Sequence, residues 1–194
     1  MTPCRTARAA TRARPRCDSS SGVAVRRRGI ARLAREGWSG GRSVWEADAE
    51  GRELVVEVGE VGEAEAPDGV AGVLGTGAVL VRRRRFVLDG KPVLLAVSYF
   101  PAGIVAGSRV TEEDTGPGGV YARLAELGHE PVRFREEVRA RMPSAEEARR
   151  LELGPGTPVV LVCRTAYTGD GTPVEVNEMV LDSAAYVLEY AFES

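Results

Sequence analysis

Arg82-Arg83-Arg84-Arg85 stand in a row inside a stretch otherwise made of Val, Leu and Phe. On an extended strand successive side chains point to opposite faces. Arg82 and Arg84 then share a face with Phe86, and Arg83 and Arg85 share the other with Val81 and Val87. At least one pair is partly buried on this reading. A buried guanidinium needs a carboxylate, a phosphate or carbonyl groups around it. The acids of the same chain and a bound anion both meet that need, and the sequence leaves the two open. In the next stretch Leu94, Ala96, Ser98 and Phe100 share a face. Farther on, Glu175, Asn177, Met179 and Leu181 do the same. Glu175 and Asn177 are polar residues on a strand rich in Val and Met, so they form either a satisfied hydrogen-bonded pair or part of a pocket. Gly116-Pro117-Gly118-Gly119 precedes a helical stretch, where backbone N–H groups face an anion or simply turn the chain.

Signatures of catalysis are missing. There is no Walker loop, no H-E-x-x-H and no C-x-x-C. Cys4, Cys17 and Cys163 are odd in number and far apart, which argues against a disulfide framework and a zinc site. The single histidine, His129, follows Gly128 at the end of a helical stretch. A cation there stabilises the helix dipole, so it reads as a cap rather than a catalytic group. No catalytic residue, metal or cofactor is expected. No apolar run approaches the roughly 18 residues of a membrane helix, so no membrane partner is expected and a reducing cytoplasm fits the cysteine usage. The net charge of −2 hides an asymmetry. Residues 1–35 hold ten Arg and one acid, a net of +9, which leaves −11 for the rest. An acidic domain is a poor surface for nucleic acid.

These residues must be positioned by strands. Val81–Val93 (VRRRRFVLDGKPV) and Val162–Val174 (VCRTAYTGDGTPV) repeat one another at an offset of 81 residues. At that offset Val81, Arg83, Asp89, Gly90, Pro92 and Val93 match Val162, Arg164, Asp170, Gly171, Pro173 and Val174. Both are hairpins turning at Asp-Gly. Each follows a short helical stretch beginning near a proline, over Ala66–Leu74 and over Ser144–Leu151, the latter opened by the capping box Ser144-x-x-Glu147. Each of those follows an extended stretch, Glu53–Val61 and Val132–Met142. The second alternates Val132, Phe134, Glu136, Val138 and Ala140 against Arg and Glu, which predicts one buried and one solvated face. A third helix is expected over Gly118–Leu127. The unit strand, helix, hairpin occurs twice, giving an α+β fold: a mainly antiparallel sheet with flanking helices and an internal pseudo-twofold repeat. The seam between the units is the natural place for a ligand. Residues 1–28 are Arg-rich with almost no large apolar side chains, which predicts a disordered tail. Residues 29–51 read as a linker with a short helix, a Gly/Ser-rich turn, and Trp38 and Trp45 anchoring it to the domain.

The segments RRRRFVLDGKPVLLAVSYFP (82–101), DTGPGGVYARLAELG (114–128), EEVRARMPSAEEARRLEL (136–153) and PGTPVVLVCRTAYTGDGTPVEVNEMVLDSAAYVLEY (155–190) resemble the UTRA domain. That is the effector-binding domain of HutC-subfamily GntR transcriptional regulators, and residues 52–194 are expected to form it. The resemblance implies a chorismate lyase-like fold, no enzymatic activity, a small-molecule effector such as a phosphate or carboxylate, and a homodimer. It also implies site residues. By position, the family's Arg-x-Arg pair falls on Arg84 and Phe86, its next Glu on Ala96, its helix-start Ser and Tyr on Gly119 and Tyr121, and its late Glu on Glu175. With Ser98 and Asn177 from the strand faces, these are the expected effector-binding residues. Where the family is polar this chain has Phe86, Ala96 and Gly119, which favours a less polar effector with one anionic group.

A winged helix-turn-helix of roughly 70 residues precedes this domain in the family. The residues before 52 lack the apolar periodicity of three packed helices. The resemblance therefore implies DNA binding only through a winged-helix domain that is not evident in this chain. A chorismate lyase-like enzyme, or a dimerisation module that titrates intact regulators, are the alternatives.

Overall fold

The structure, a computed structural model, describes residues 25–28, 40, 41, 45, 49 and 51–190. Its elements in chain order are β1 (Val25–Arg28), β2 (Leu54–Glu65), α1 (Asp68–Leu74), β3 (Ala78–Leu88), β4 (Lys91–Pro101), α2 (Ala102–Val105), a 3₁₀ turn (Arg109–Thr111), α3 (Gly119–Glu126), β5 (Arg133–Arg141), α4 (Ala145–Arg150), β6 (Val159–Tyr167), β7 (Pro173–Asp182) and β8 (Tyr186–Glu189). Six strands form one antiparallel sheet in the order β2-β3-β4-β7-β6-β5. Each repeat unit supplies three adjacent strands, and the units meet at the β4–β7 pair. Val97 and Glu178 face one another there, at matching positions of the two repeats.

The hairpins close as the Asp-Gly signal demands. Asp89 and Gly90 both have positive φ, at 48° and 76°, the conformation of a tight hairpin turn that follows the strand twist. The second hairpin is longer. Leu88 pairs with Lys91 across two turn residues, whereas Tyr167 pairs with Pro173 across five. The longer turn shifts the strand before it by one place relative to the sequence repeat. Arg84 lies opposite Ala96, and Arg164 lies opposite Asn177. The structural counterpart of Arg164 is thus Arg84, not the Arg83 that sequence identity aligns with it.

Each face of the sheet carries two apolar clusters. On one face, Phe86, Leu88, Leu94, Ala96, Met179 and Leu181 pack with Trp45 and Tyr186 at one end. Leu80, Phe100, Val110, Tyr121, Leu124 and Ala166 pack around α3 at the other. On the opposite face α1 covers Val79, Val81, Tyr99 and Val176, and Leu151 after α4 covers Leu95 and Val159. Burial of each such large side chain contributes about 1.5–3 kcal/mol. α4 carries the expected capping box. Ser144 accepts from the Glu147 amide, and the Glu147 carboxylate accepts from the Ser144 amide.

Three expectations are corrected. β5 does not bury an apolar face, since Val132 and Val138 are 58% and 47% exposed and Ala140 is exposed. β5 is a sheet edge, and only its Phe134 and Glu136 are half covered. α1 begins at Asp68 rather than Ala66, because Pro67 stands as its N-cap outside the helical region. In the segment expected to be disordered, Val25–Arg28 form a strand parallel to β8. The rest of residues 1–39, with the expected helix before Gly40 and with Trp38, lies outside the described residues. Gly40 and Gly41 form a turn, and Trp45 and Ala49 are helical.

Candidate effector site

A band of polar residues runs straight across the sheet between the two apolar clusters of one face. Arg82 lies opposite Ser98, Ser98 opposite Asn177, Asn177 opposite Arg164, and Arg164 opposite Glu136. The strand pairings alone therefore align side chains from 82 to 177 into one row. Above it lies a cavity of about 690 Å³, within the size range of small-molecule sites. Its floor is Arg82, Asn177 and Arg164 of that band, with Arg84, Phe86 and Glu175. Its walls are Val56 and Val58 of β2, Trp45, and the Gly116–Tyr121 segment leading into α3.

The arginines divide by partner. Arg82 is 2% exposed and donates to the carbonyls of Val110 (2.6 Å), Glu112 and Glu113 (2.9 Å). It ties down the loop that leads into the glycine turn. Burial, and then the charge of Arg84, hold its pKa down to about 10. Arg164 is 1% exposed and its Nε and Nη2 both donate to Glu136, at 2.9 and 2.7 Å. Burial alone would lower its pKa, but Tyr121 and Glu136 raise it above the usual value. Among the described residues Arg84 donates only to the Ser98 hydroxyl, and it stands 5.8 Å above the Phe86 ring. It has no ion pair among the described residues, and its buried Nε has no hydrogen-bond partner there. Burial lowers its pKa, against the opposing pull of Glu175.

Glu175 is 2% exposed and accepts from the Tyr121 hydroxyl at 2.9 Å. Burial first, then the Glu175 charge, push the Tyr121 phenol well above its usual pKa, so it remains a neutral donor. Buried Arg82 and Arg164 and half-buried Arg84 bring three positive charges to the site, and Glu136 and Glu175 bring two negative ones. The surplus is positive, and neither Arg82 nor Arg84 has an ion pair among the described residues. Glu113 and Asp114 at the mouth are exposed to solvent.

The glycine turn is held from both sides. Asp114 accepts from the Gly116 amide at 2.8 Å, and the Gly41 carbonyl accepts from the Gly118 amide at 2.9 Å. Arg123 donates to the Thr115 carbonyl at 3.1 Å. α3 has no capping side chain at its N-terminus, which opens on the cavity. Amides of such a first turn, with the helix dipole, favour an anion.

Of the residues expected from sequence, Arg84, Phe86, Gly119, Tyr121, Glu175 and Asn177 line this cavity. Ser98 lies under it, fully buried, in contact with Arg84. Ala96 does not line it and packs with Phe86 and Met179 in the apolar cluster beside it. Sequence reasoning missed Arg164, hidden because the repeat aligned it with Arg83. It also missed Trp45 as a wall, since nothing in the sequence says where the linker folds back. Its ring lies 4.4 Å from that of Phe86.

The UTRA domain family matches residues 49–186, the span that builds the sheet and the cavity. The chain belongs to the UTRA domain family. It is 36% identical over 180 residues to an uncharacterized HTH-type transcriptional regulator of Streptomyces coelicolor, covering 87% of this chain and 67% of that protein. It matches the effector domain of PhnF from Mycobacterium smegmatis at 25% identity and a TM-score of 0.68, covering 77% of this chain and 93% of that one. The ligand-binding domain of a GntR-family regulator from Bordetella bronchiseptica matches at 25% identity and a TM-score of 0.65, covering 74% and 91%. The chain spans between 35% and 67% of the length of the curated relatives it matches. This UTRA domain thus has the fold of GntR effector domains, and its role is regulatory ligand binding in transcription control rather than catalysis. Among the described residues no helix is long and apolar enough to cross a membrane.

Proposed function

We propose that residues 52–194 sense a small acid for a HutC-type GntR regulator, and that the cavity between the two repeat units is the effector site. The observation that carries this is Arg84. It is a guanidinium with an enclosed, unpartnered Nε and no carboxylate partner among the described residues, on the floor of the cavity beneath the α3 N-terminus. A carboxylate or phosphate there gains a charge-assisted hydrogen bond and offsets the surplus positive charge. Tyr121, held by Glu175, fixes the opposite wall. The sensing unit works as a homodimer in the cytoplasm, and effector occupancy reaches DNA through a winged-helix domain, as the family resemblance implies.

Thermal-shift titration with inorganic phosphate and small carboxylates tests the site. A ligand at about a hundred times its Kd stabilises the fold by about 2.7 kcal/mol, and Arg84→Ala is expected to abolish that gain. Stabilisation that survives Arg84→Ala assigns the anion to another place.

A further inference from the structure

Resting on the reading that the cavity is the effector site, we infer that its effector is a hydroxy acid, and that Asn177 is the residue that recognises the hydroxyl. Asn177 is 3% exposed and lines the cavity. Its Oδ1 is enclosed and accepts from no donor among the described residues. The polar side chains around it are engaged elsewhere. Arg164, opposite it on β6, gives Nε and Nη2 to Glu136. Ser98, opposite it on β4, accepts from Arg84. Glu175, two positions earlier on β7, accepts from Tyr121. A buried amide oxygen without a donor costs stability, and a ligand in the cavity is what can supply one.

Arg84 brings the acid group of the ligand to the same corner. Its Nη2 donates to the Ser98 hydroxyl, and Ser98 faces Asn177 across the β4–β7 pair. Side chains directly opposite one another in a sheet stand about 5 Å apart. A ligand whose acid group meets Arg84 therefore places the atoms beside that group near Asn177. Three kinds of substituent can stand there. A methylene or methyl group leaves the amide unpaired. An ammonium only donates, and it would lie between the Arg84 and Arg164 guanidinium groups, adding a third cation. A hydroxyl both donates and accepts. It meets either end of the amide, whose terminal torsion is two-fold, and adds no charge. A site built around a ligand hydroxyl rejects the analogue that lacks it.

Matched acids isolate the hydroxyl. The full chain is titrated with lactate and propionate, with mandelate and phenylacetate, and with alanine, and the affinities are taken from the rise of Tm with concentration. Lactate is expected to bind about tenfold more tightly than propionate, and mandelate than phenylacetate. Alanine should bind no better than propionate. Asn177→Leu, close to Asn in size and without polar atoms, should remove the preference, so that the members of each pair bind alike. The comparison within each pair needs no variant, so it still decides if Asn177→Leu does not fold. If the members of both pairs bind the parent chain alike, if alanine matches lactate, or if the preference survives Asn177→Leu, the inference is overturned while the effector site stands. If none of the acids raises Tm, or if all raise it equally in Arg84→Ala, the effector-site reading fails as well.

Discussion

Replacing Arg84 by Met should leave the ligand-free domain at least as stable as the parent while removing its response to anions. The magnitude follows from the partners. Met loses one hydrogen bond, to the Ser98 hydroxyl, worth about 1 kcal/mol. It removes an enclosed donor without a partner, Nε, whose burial costs about 1–3 kcal/mol. It also removes a charge disfavoured by burial. The net is a gain of about 0–2 kcal/mol, or up to roughly 8 °C in Tm for a domain of this size. Arg164→Met is the control, because Arg164 is its structural counterpart with its partners in place. Removing it takes the guanidinium away from the Glu136 carboxylate, 13% exposed, and leaves the Tyr190 hydroxyl donating to it. Breaking a buried pair in this way costs about 3–5 kcal/mol, equivalent to a fall in Tm of roughly 10 °C. Urea melts of both variants at neutral pH, with and without phosphate, measure the difference. If Arg84→Met destabilises the ligand-free domain as much as Arg164→Met does, Arg84 is a structural residue and the reasoning fails.

Two further predictions concern the α4 ion pair and the glycine turn. Hydrogen bonding from Arg141, outweighing the opposing effect of burial, holds the Glu147 carboxyl down to about 2 from 4.5. A depressed acid contributes stability that is present above its unfolded pKa and lost as pH falls through its folded one. Glu147→Gln, which keeps the cap to Ser144, should therefore cost about 1 kcal/mol at neutral pH, and the cost should shrink between about pH 4.5 and 2. Equal costs in thermal melts at both ends of that window would contradict the ion pair. Gly116 has a φ of 73°, and a Cβ there would lie 2.6 Å from an Arg109 guanidinium nitrogen. Gly116→Val should cost about 1–3 kcal/mol of strain and weaken phosphate binding through the displaced turn, and unchanged affinity would show that the turn does not contact the anion.

Much of the fold was legible because its signals are local. Asp-Gly turns, alternating strands and the Ser144–Glu147 capping box each act within a few residues, and the repeat exposed the two-unit plan. What was not legible depends on distance. Whether an alternating strand is covered depends on its place in the sheet, and β5 turned out to be an edge. The five-residue second turn moved Arg164 onto the face of Arg84, which no identity match reveals. The partners of Arg82 are backbone carbonyls of a loop nearly thirty residues away, and carbonyls leave no trace in residue types. Ala96 was carried by position into the site, yet without a polar end it serves the core cluster.

The central claim is that the Arg84 guanidinium receives the acidic group of the effector. The most direct measurement is the NMR signal of the arginine Nε–H groups of the full chain, assigned through Arg84→Met, during titration with phenyl phosphate. The account predicts that the Arg84 Nε–H shifts downfield and becomes slower to exchange with water as it gains its missing partner, while the Arg164 signal, already bonded to Glu136, moves little. An Arg84 signal that stays unchanged at saturating ligand would contradict it.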